Sequence, residues 1–347
     1  MRGNGDRRGG WIRTAIAVAT LGLIAIFARS VDWGKAWTTL STANAMFVAL
    51  AVGANLATVV IKAVRWHLFL GAVGVRSPSL AVRSTFAGAA LNNVVFANGG
   101  DAARVAAVAT QARVSSADVL ATLAVDKLCD LVTYSILFAV VTFTLPLPTE
   151  LARWRTAILV GLASLAIAGG FTAWQTRSAG ARAGASGPQS TTSRLGAYVR
   201  RLIAAIPAVA SGPRLGVALL LAAVAWVGQW ATFHLAAVAA SYPASPATSL
   251  LALLTVNASF LIRLTPGNLG VFQFLYVLAA TASGGDRDGA VGVAFLISLI
   301  QYIPVTSIGL MLASSLVGHG GTAADPGEPH AAKTTAQDDI VTAGQGE

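Results

Sequence analysis

The stretch Leu264-Thr265-Pro266-Gly267-Asn268-Leu269-Gly270, LTPGNLG in one-letter code, interrupts an apolar region near the end of the chain and directly follows Arg263. Proline and glycine disfavour a continuous helix, and a charged side chain is costly at membrane depth. A second interruption, Asn98-Gly99-Gly100-Asp101, divides an apolar region in the first half. What flanks these two breaks decides the fold class.

The composition is that of a membrane protein. Of 347 residues, 55% are hydrophobic and 11% are charged, far less charge than a soluble domain of this length needs on its surface. Several apolar runs reach the length of about 20 residues that a helix needs to cross a bilayer. These runs are Trp11–Ala28, Asn44–Val64, Ala117–Thr144, Thr156–Trp174, Leu215–Ala240 and Ala290–Val317.

Two further apolar regions, Leu80–Ala112 and Ser249–Ala282, contain the breaks. We therefore predict an all-α polytopic membrane protein with about six full spans and two broken hairpins. The halves of each broken region look short for a full crossing, which favours hairpins that re-enter on their own side. Full crossing by short spans is the alternative, and the loop charges do not distinguish the two.

Basic residues predict the orientation. With two re-entrant hairpins, the arginine-rich loops and both termini fall on one face, which the positive-inside rule identifies as cytoplasmic. The predicted organisation is a basic N-terminus at 1–10, a first membrane half at 11–174, a basic linker at 175–213, a second membrane half at 214–317 and a disordered tail at 318–347. The protein is then a multi-pass protein of a bacterial-type plasma membrane.

The order of spans also predicts a repeat. Each half contains a span, a broken segment and a span, and the two sets run through the membrane in opposite directions. This is the pattern of an inverted repeat, in which interrupted helices at matching places point to a transport site. Two coincidental breaks are the alternative.

The first break carries polar groups suited to an anion. Asn98, Gly99 and Gly100 free backbone N–H groups at a helix start, and Arg104 follows Asp101 at a spacing of three. Asp101 and Arg104 either form a pair at membrane depth or Asp101 caps the helix, and both can hold together.

Three charges lie near the start of the next long helix. Asp126 and Asp130 share a helix face, and Lys127 lies between them. They line a polar cavity or lie at the water interface. Lys62, Arg65 and Trp66 end the preceding span, where two snorkelling cations and an interfacial tryptophan are a sufficient interpretation. No histidine or cysteine spacing indicates a metal site, so no metal or cofactor is expected.

With these residues assembled, the chain resembles the family of the lysylphosphatidylglycerol synthase transmembrane region, a flippase-like membrane fold. The carriers of the resemblance are Arg65-Trp66, Gly100-Asp101 with Arg104, Asp126-Lys127 with Asp130, and Thr265-Pro266-Gly267 with Leu269-Gly270. The family often has an acid shortly after the last glycine, where this chain has Gln273.

The resemblance implies movement of a lipid between leaflets, either an aminoacyl-phospholipid or a polyprenyl-linked glycolipid. The implied lining of the head-group cavity is Asn98, Gly99, Gly100, Asp101, Arg104, Asp126, Lys127, Asp130, Arg263, Thr265, Pro266, Gly267, Asn268, Gly270 and Gln273. The expected partner is an anionic membrane lipid, with no role for nucleic acid. The alternatives are a membrane enzyme that transfers a group to a lipid and a non-transporting partner of a separate lipid-modifying enzyme.

Overall fold

The computed structural model describes residues 33–94, 99–144, 212–258 and 270–317, together with Thr156 and Val160. This part of the chain is helical. The helices are α1 (Trp33–Ser41), α2 (Ala45–Leu70), α3 (Pro78–Val94), α4 (Gly99–Ala112), α5 (Ser116–Thr144), α6 (Gly212–Ala239), α7 (Pro246–Ala258), α8 (Val271–Ala282) and α9 (Arg287–Val317). A short 3-10 turn, Gly71–Val73, follows α2.

Three of these helices have the length and apolar composition to cross a membrane. They lie at Ala45–Val73, Pro213–Ala239 and Arg287–Ala313. The 29 residues of α5 would also span a bilayer at a rise of about 1.5 Å per residue, although its first half carries the charges discussed above. The prediction of an all-α multi-pass membrane protein is therefore confirmed. The predicted spans Trp11–Ala28 and Thr156–Trp174 lie outside the described residues, apart from Thr156 and Val160.

Helices α2 and α6 pack along each other at the centre of the fold. The backbone N–H of Asn44, just before α2, donates to the carbonyl of Ala239 at the end of α6. Gly228, near the middle of α6, lies against the hydroxyl of Thr58 near the middle of α2. Because the start of one helix meets the end of the other, α2 and α6 are antiparallel.

Each broken region forms two short helices that pack against each other, α3 with α4 and α7 with α8. At about 1.5 Å per residue these helices are about 18 to 25 Å long, shorter than the apolar core of a bilayer at about 30 Å. Helix α3 ends at Val94 and α4 begins at Gly99, so Gly99, Gly100 and Asp101 of the first predicted break are helical. Asn98 and the second predicted break, Pro266-Gly267-Asn268, lie outside the described residues.

Both hairpins begin with the same local chemistry. Ser77 and Ser245 each precede a proline, and their hydroxyls accept the backbone N–H of Leu80 and Thr248. A serine N-cap followed by proline at the first helical position is a strong helix start, because the cap satisfies a free N–H and proline has none to satisfy.

Helix α1 lies between the apolar runs Trp11–Ala28 and Asn44–Val64, where no helix was predicted. It packs on α9, where Thr39 fills the space over Gly292 and the ring of Trp33 lies 5.5 Å from that of Phe295. Its nine residues are too few to cross a bilayer, so hydropathy alone gave no signal for it.

Candidate functional site

Arg65 joins the last turns of α2 to the middle of α5. Its Nε donates to Oδ1 of Asp126 and its Nη1 to Oδ1 of Asp130, both at 2.7 Å. Its Nη2 also reaches the backbone carbonyl of Asp126 at 3.4 Å. Asp126 and Asp130 can both reach one guanidinium because they are four residues apart on one helix face. All three nitrogens of Arg65 therefore have partners.

Arg104, on α4, approaches the same carboxylate from the other side. Its Nη2 lies 3.7 Å from Oδ2 of Asp126 and its Nη1 lies 3.9 Å from Oδ1 of Asp101. Both distances are too long for hydrogen bonds, although they are close enough for electrostatic attraction. Among the described residues, Nε and Nη2 of Arg104 find no hydrogen-bond partner, and the side chain is only 10% exposed. A buried donor without an acceptor is costly, so this edge of Arg104 is suited to an incoming anion.

The side chain of Trp66 packs against the guanidinium of Arg104. The guanidinium carbon lies 4.0 Å from the centre of the indole ring, a cation–π contact. The indole N–H donates to the hydroxyl of Thr122 on α5 at 3.0 Å, which fixes the plane of the ring. Trp66 is fully buried, so α2 and α5 together set where the Arg104 guanidinium lies.

The start of α4 is held close to α3. A side chain on Gly88 of α3 would meet the carbonyl of Gly100 at 2.8 Å, and one on Gly100 would collide with the carbonyl of Gly88. The side-chain oxygen of Asn92 accepts the N–H of Gly100 at 2.8 Å. Glycine at both positions therefore lets the two helices touch and brings the N-terminal end of α4 to the charged cluster.

Asp101 and Lys127 form the outer pair of this cluster. Nζ of Lys127 lies 3.1 Å from Oδ2 of Asp101, and the lysine side chain is 49% exposed. Because α4 begins at Gly99, Asp101 is a residue of the first turn and the expectation that it caps the helix is wrong. The expected pairing with Arg104 is present only as the long contact of 3.9 Å.

The interpretation of Arg65 and Trp66 as interfacial side chains is also wrong. Both are fully buried, because α2 continues past Val64 to Leu70 and brings them against α4 and α5. Lys62, one turn earlier, is half-buried and near enough to Asp130 and Asp126 to interact with them electrostatically. The sequence could have indicated that Arg65 is buried in an ion pair, since an arginine three residues after a lysine on an apolar helix needs an acidic partner.

The second break ends in a neutral network. The side-chain oxygen of Gln273 accepts the N–H of Gly270 at 2.6 Å, and its amide donates to the hydroxyl of Ser298 on α9 at 2.9 Å. Gly270 has a φ of 86°, a backbone conformation that glycine tolerates best. Gln273, 1% exposed, thus ties the first residues of α8 to α9.

Several predicted site residues lie outside the described residues. These are Asn98, Arg263, Thr265, Pro266, Gly267 and Asn268. The others form two groups. The first lies where the start of α4, with Gly99, Gly100, Asp101 and Arg104, meets Asp126, Lys127 and Asp130 of α5. The second is the separate α8 network of Gly270 and Gln273. In the described part of the chain, no group of three or more His, Cys, Asp or Glu side chains is placed to hold a metal ion.

A comparison with protein families covers most of the chain. The family model of the lysylphosphatidylglycerol synthase TM region matches residues 11–309, which is most of the chain. The protein belongs to this family. No match was found among curated proteins.

Membership in the lysylphosphatidylglycerol synthase transmembrane family indicates a membrane function that involves lipids. The matched residues 11–309 contain all the residues of the charged cluster and both breaks. The cluster and the breaks are therefore parts of the family's own membrane region.

Proposed function

We propose that the protein moves a phosphate-bearing lipid between the two leaflets of the membrane. The observation that supports this most is the edge of Arg104 formed by Nε and Nη2, which is buried and lacks a hydrogen-bond partner in the part of the chain that the structure describes. The donors of a guanidinium form a rigid fork that matches two oxygens of a phosphate. Arg104 lies in the second turn of α4, whose N-terminal end also favours negative charge.

Arg65 is a contrasting case within the same cluster. Each of its three nitrogens already donates to Asp126 or Asp130, which use three of its five N–H groups and fix its orientation. We assign Arg65 to holding Asp126 in place and Arg104 to binding the phosphate. Buried donors without acceptors are costly, and the oxygens of a phosphate would accept from Nε and Nη2 of Arg104.

An inverted repeat supports alternating exposure of this site. The corresponding helices α2 and α6 are antiparallel, as an axis in the membrane plane requires. One pair of contacts repeats, since α2 packs on α9 as α6 packs on α5, whereas α3 packs extensively on α9 and α7 only touches α5.

The turns repeat as well. After α2 and α6, the N–H groups of Val75 and Tyr242 bond to carbonyls five residues back, over Gly74 and Ser241 with positive φ. After α4 and α8, Val114 and Gly285 do the same over Arg113 and Gly284. The two halves therefore share local chemistry at four corresponding helix ends.

The mechanism that follows needs no covalent chemistry. The phosphate binds Arg104 at the first break while the acyl chains stay in the surrounding lipid. Rocking of one half against the other then exposes the head group to the opposite leaflet. The hairpins α3–α4 and α7–α8 shape the cavity from opposite faces.

The enzyme alternative is less well supported. A lipid-modifying transferase that uses a metal needs carboxylate oxygens free for the ion. Asp126 and Asp130 were the candidate ligands, and one oxygen of each is bound by Arg65 at 2.7 Å. A positive charge held between the two acids disfavours a divalent cation at the same place.

Reconstitution tests the proposal. The purified full chain is placed in vesicles with a phospholipid labelled on an acyl chain, and a membrane-impermeant reductant quenches the label in the outer leaflet. The expected result is loss of the protected inner fraction in vesicles with protein and its persistence in empty vesicles. Unchanged protection with every anionic lipid tested would sink the proposal.

A second set of vesicles separates lipid from soluble phosphate. Glycerol phosphate is enclosed with the same protein, and its release is followed over time. Retention is expected, because the site is proposed to act on lipid head groups. Release of glycerol phosphate without lipid movement would identify a transporter of small phosphates instead.

A further inference from the structure

We infer that α9 contains a hinge at Pro304, and that the first hairpin, α3–α4, moves with the part of α9 that follows this proline. The inference rests on the proposed function and assigns the moving parts of its mechanism. Three observations carry it: a helix hydrogen bond that Pro304 cannot make, a side chain of α2 that takes its place, and different partners of α9 before and after Pro304.

Pro304 interrupts the hydrogen bonds of α9 within its membrane-spanning segment. The residue lies inside the helix Arg287–Val317, and proline has no N–H to donate to the carbonyl four residues back, which is that of Ile300. Sharp kinks in long helices have few causes, and proline is the first of them. Helix α9 therefore bends most readily at this point.

A side chain of α2 binds the carbonyl that Pro304 leaves without its helix partner. Nδ2 of Asn55 donates to the carbonyl oxygen of Ile300 at 3.3 Å, and both residues are buried. A proline is tolerated in a membrane helix where a neighbouring helix satisfies the freed backbone group. Because Asn55 belongs to another helix, the carbonyl keeps a partner without holding the two parts of α9 in line.

The part of α9 before Pro304 packs on α1 and α8. Gly292 lies against the side chain of Thr39 in α1. The hydroxyl of Ser298 accepts the side-chain amide of Gln273 in α8 at 2.9 Å. This part of α9 is therefore joined to the second hairpin.

The part of α9 after Pro304 packs on α3. Nδ2 of Asn93 in α3 donates to the hydroxyl of Thr306 at 3.0 Å. One turn further, a side chain on Gly309 would collide with the carbonyl of Phe86 in α3. This part of α9 is therefore joined to the first hairpin.

The first hairpin carries the proposed phosphate site. The close contact of Gly88 with Gly100 holds α4, and with it Arg104, against α3. The contact from Arg104 to Asp126 of α5 is 3.7 Å long, which is no hydrogen bond. Bending at Pro304 moves the site relative to the second hairpin, which is the displacement that alternating exposure needs.

Pro304→Ala tests the hinge in vesicles with the full chain and acyl-labelled phosphatidylglycerol. Alanine supplies the missing N–H, so the carbonyl of Ile300 gains its helix partner and α9 stiffens. We expect lipid movement at least about threefold slower than with the wild type, the effect of one ordinary hydrogen bond on a rate. The lipid that co-purifies, measured by mass spectrometry, is expected to stay at the wild-type amount. Pro246→Ala, at the first position of α7 where proline interrupts no helix bond, is the control and is expected to keep the wild-type rate.

The outcomes separate the hinge from the proposed function. A wild-type rate in Pro304→Ala, or an equal slowing in Pro246→Ala, would overturn the hinge and leave lipid transport in place. A lower unfolding midpoint of Pro304→Ala would also contradict the hinge, because a restored helix bond should not destabilise the protein. Absence of movement with the wild type would overturn the proposed function and the inference with it.

A double-mutant cycle tests the role of Asn55. Asn55→Leu leaves the carbonyl of Ile300 without a partner, so we expect the midpoint of thermal unfolding in detergent to fall by at least about 2 °C. In the Pro304→Ala background, the same change is expected to lower the midpoint by less than about half as much, because the carbonyl keeps the new N–H. An equal fall in the two backgrounds would contradict the assignment of Asn55 to the carbonyl that Pro304 leaves open.

Discussion

At the scale of single residues, the two arginines of the cluster have different roles although both are buried. Each nitrogen of Arg65 donates to an acid on α5, whereas Nε and Nη2 of Arg104, which lies over Trp66, are buried without a hydrogen-bond partner among the described residues. From the sequence, the charges on α5 could be identified as a site because charges at membrane depth are rare. The role of Arg65 could not, because its partners lie 61 and 65 residues away and only the packing of α2 on α5 brings them together.

Arg104→Lys tests whether the edge of the guanidinium formed by Nε and Nη2 binds the phosphate. Lysine keeps the positive charge and loses the fork, so we expect at least about tenfold less anionic lipid to remain bound, in line with the loss of a charge-assisted hydrogen bond of about 1.5 kcal/mol or more. The measurement is mass spectrometry of lipids that co-purify with the protein. Arg83→Lys, whose guanidinium bonds only to Ser79 of its own helix among the described contacts, is the matched control. Equal lipid retention by Arg104→Lys and the wild type would contradict the assignment.

Arg65→Met tests the assignment of Arg65 to stability. The change leaves two acids without their cation, and removal of one partner from a buried ion pair costs about 3–5 kcal/mol. We expect a large fall in the midpoint of thermal unfolding in detergent. The triple variant Arg65→Met, Asp126→Asn, Asp130→Asn is expected to regain part of it, because no acid is left without its cation, while Lys62 and Arg104 lose their attraction to the two acids. A midpoint like that of the wild type in the single variant would argue against a buried pair.

At the scale of elements, each broken region consists of two short helices that pack on each other, α3 on α4 and α7 on α8. The prediction of the two breaks came from their glycines and proline. The serine-proline pairs that begin α3 and α7 were not recognised as helix starts in the sequence, although the structure shows both serines as N-caps. The end of α2 was predicted too early, because three polar residues were interpreted as a membrane boundary and the buried partners of Arg65 were unknown. Helix α1 was missed because it is short and packs on α9.

Gly88→Ala tests the contact between α3 and α4. The new methyl group would lie 2.8 Å from the carbonyl of Gly100 and 3.2 Å from Cβ of Arg104, so the hairpin must open. Overpacking of this kind typically costs about 1–3 kcal/mol, and we expect a lower unfolding midpoint together with weaker lipid retention. Gly53→Ala, on α2 with nothing within 4 Å of the new atom, is the control and is expected to be neutral or stabilising. Similar effects of the two changes would show that the contact is unimportant.

At the scale of the whole molecule, the account depends on two halves that run through the membrane in opposite directions. The order of spans in the sequence was enough to predict this arrangement. The structure shows α2 and α6 antiparallel and a bond five residues back after each of α2, α4, α6 and α8, and the inverted repeat itself stays a prediction. The two hairpins differ in charge, which hydropathy does not show. Helix α4 begins with Asp101 and Arg104, whereas α8 begins with the neutral network of Gln273.

Single cysteines test the inverted arrangement. Ser79→Cys lies at the start of the first hairpin and Ser283→Cys just after the second, and both serines are exposed. In a Cys129→Ala background, which removes the cysteine of the native chain, we expect a membrane-impermeant maleimide to label the first from the cytoplasmic side and the second from the opposite side. Labelling of both from the same side would rule out the inverted repeat.

The most direct test of the central claim is the transbilayer rate of acyl-labelled phosphatidylglycerol in vesicles that contain wild-type protein, Arg104→Lys or Arg83→Lys at equal protein content. The account predicts movement with the wild type and Arg83→Lys, and a rate at least about tenfold lower with Arg104→Lys because the phosphate loses its fork. Equal rates for all three proteins would contradict the assignment of Arg104 as the head-group site, and equal rates with and without protein would contradict lipid transport itself.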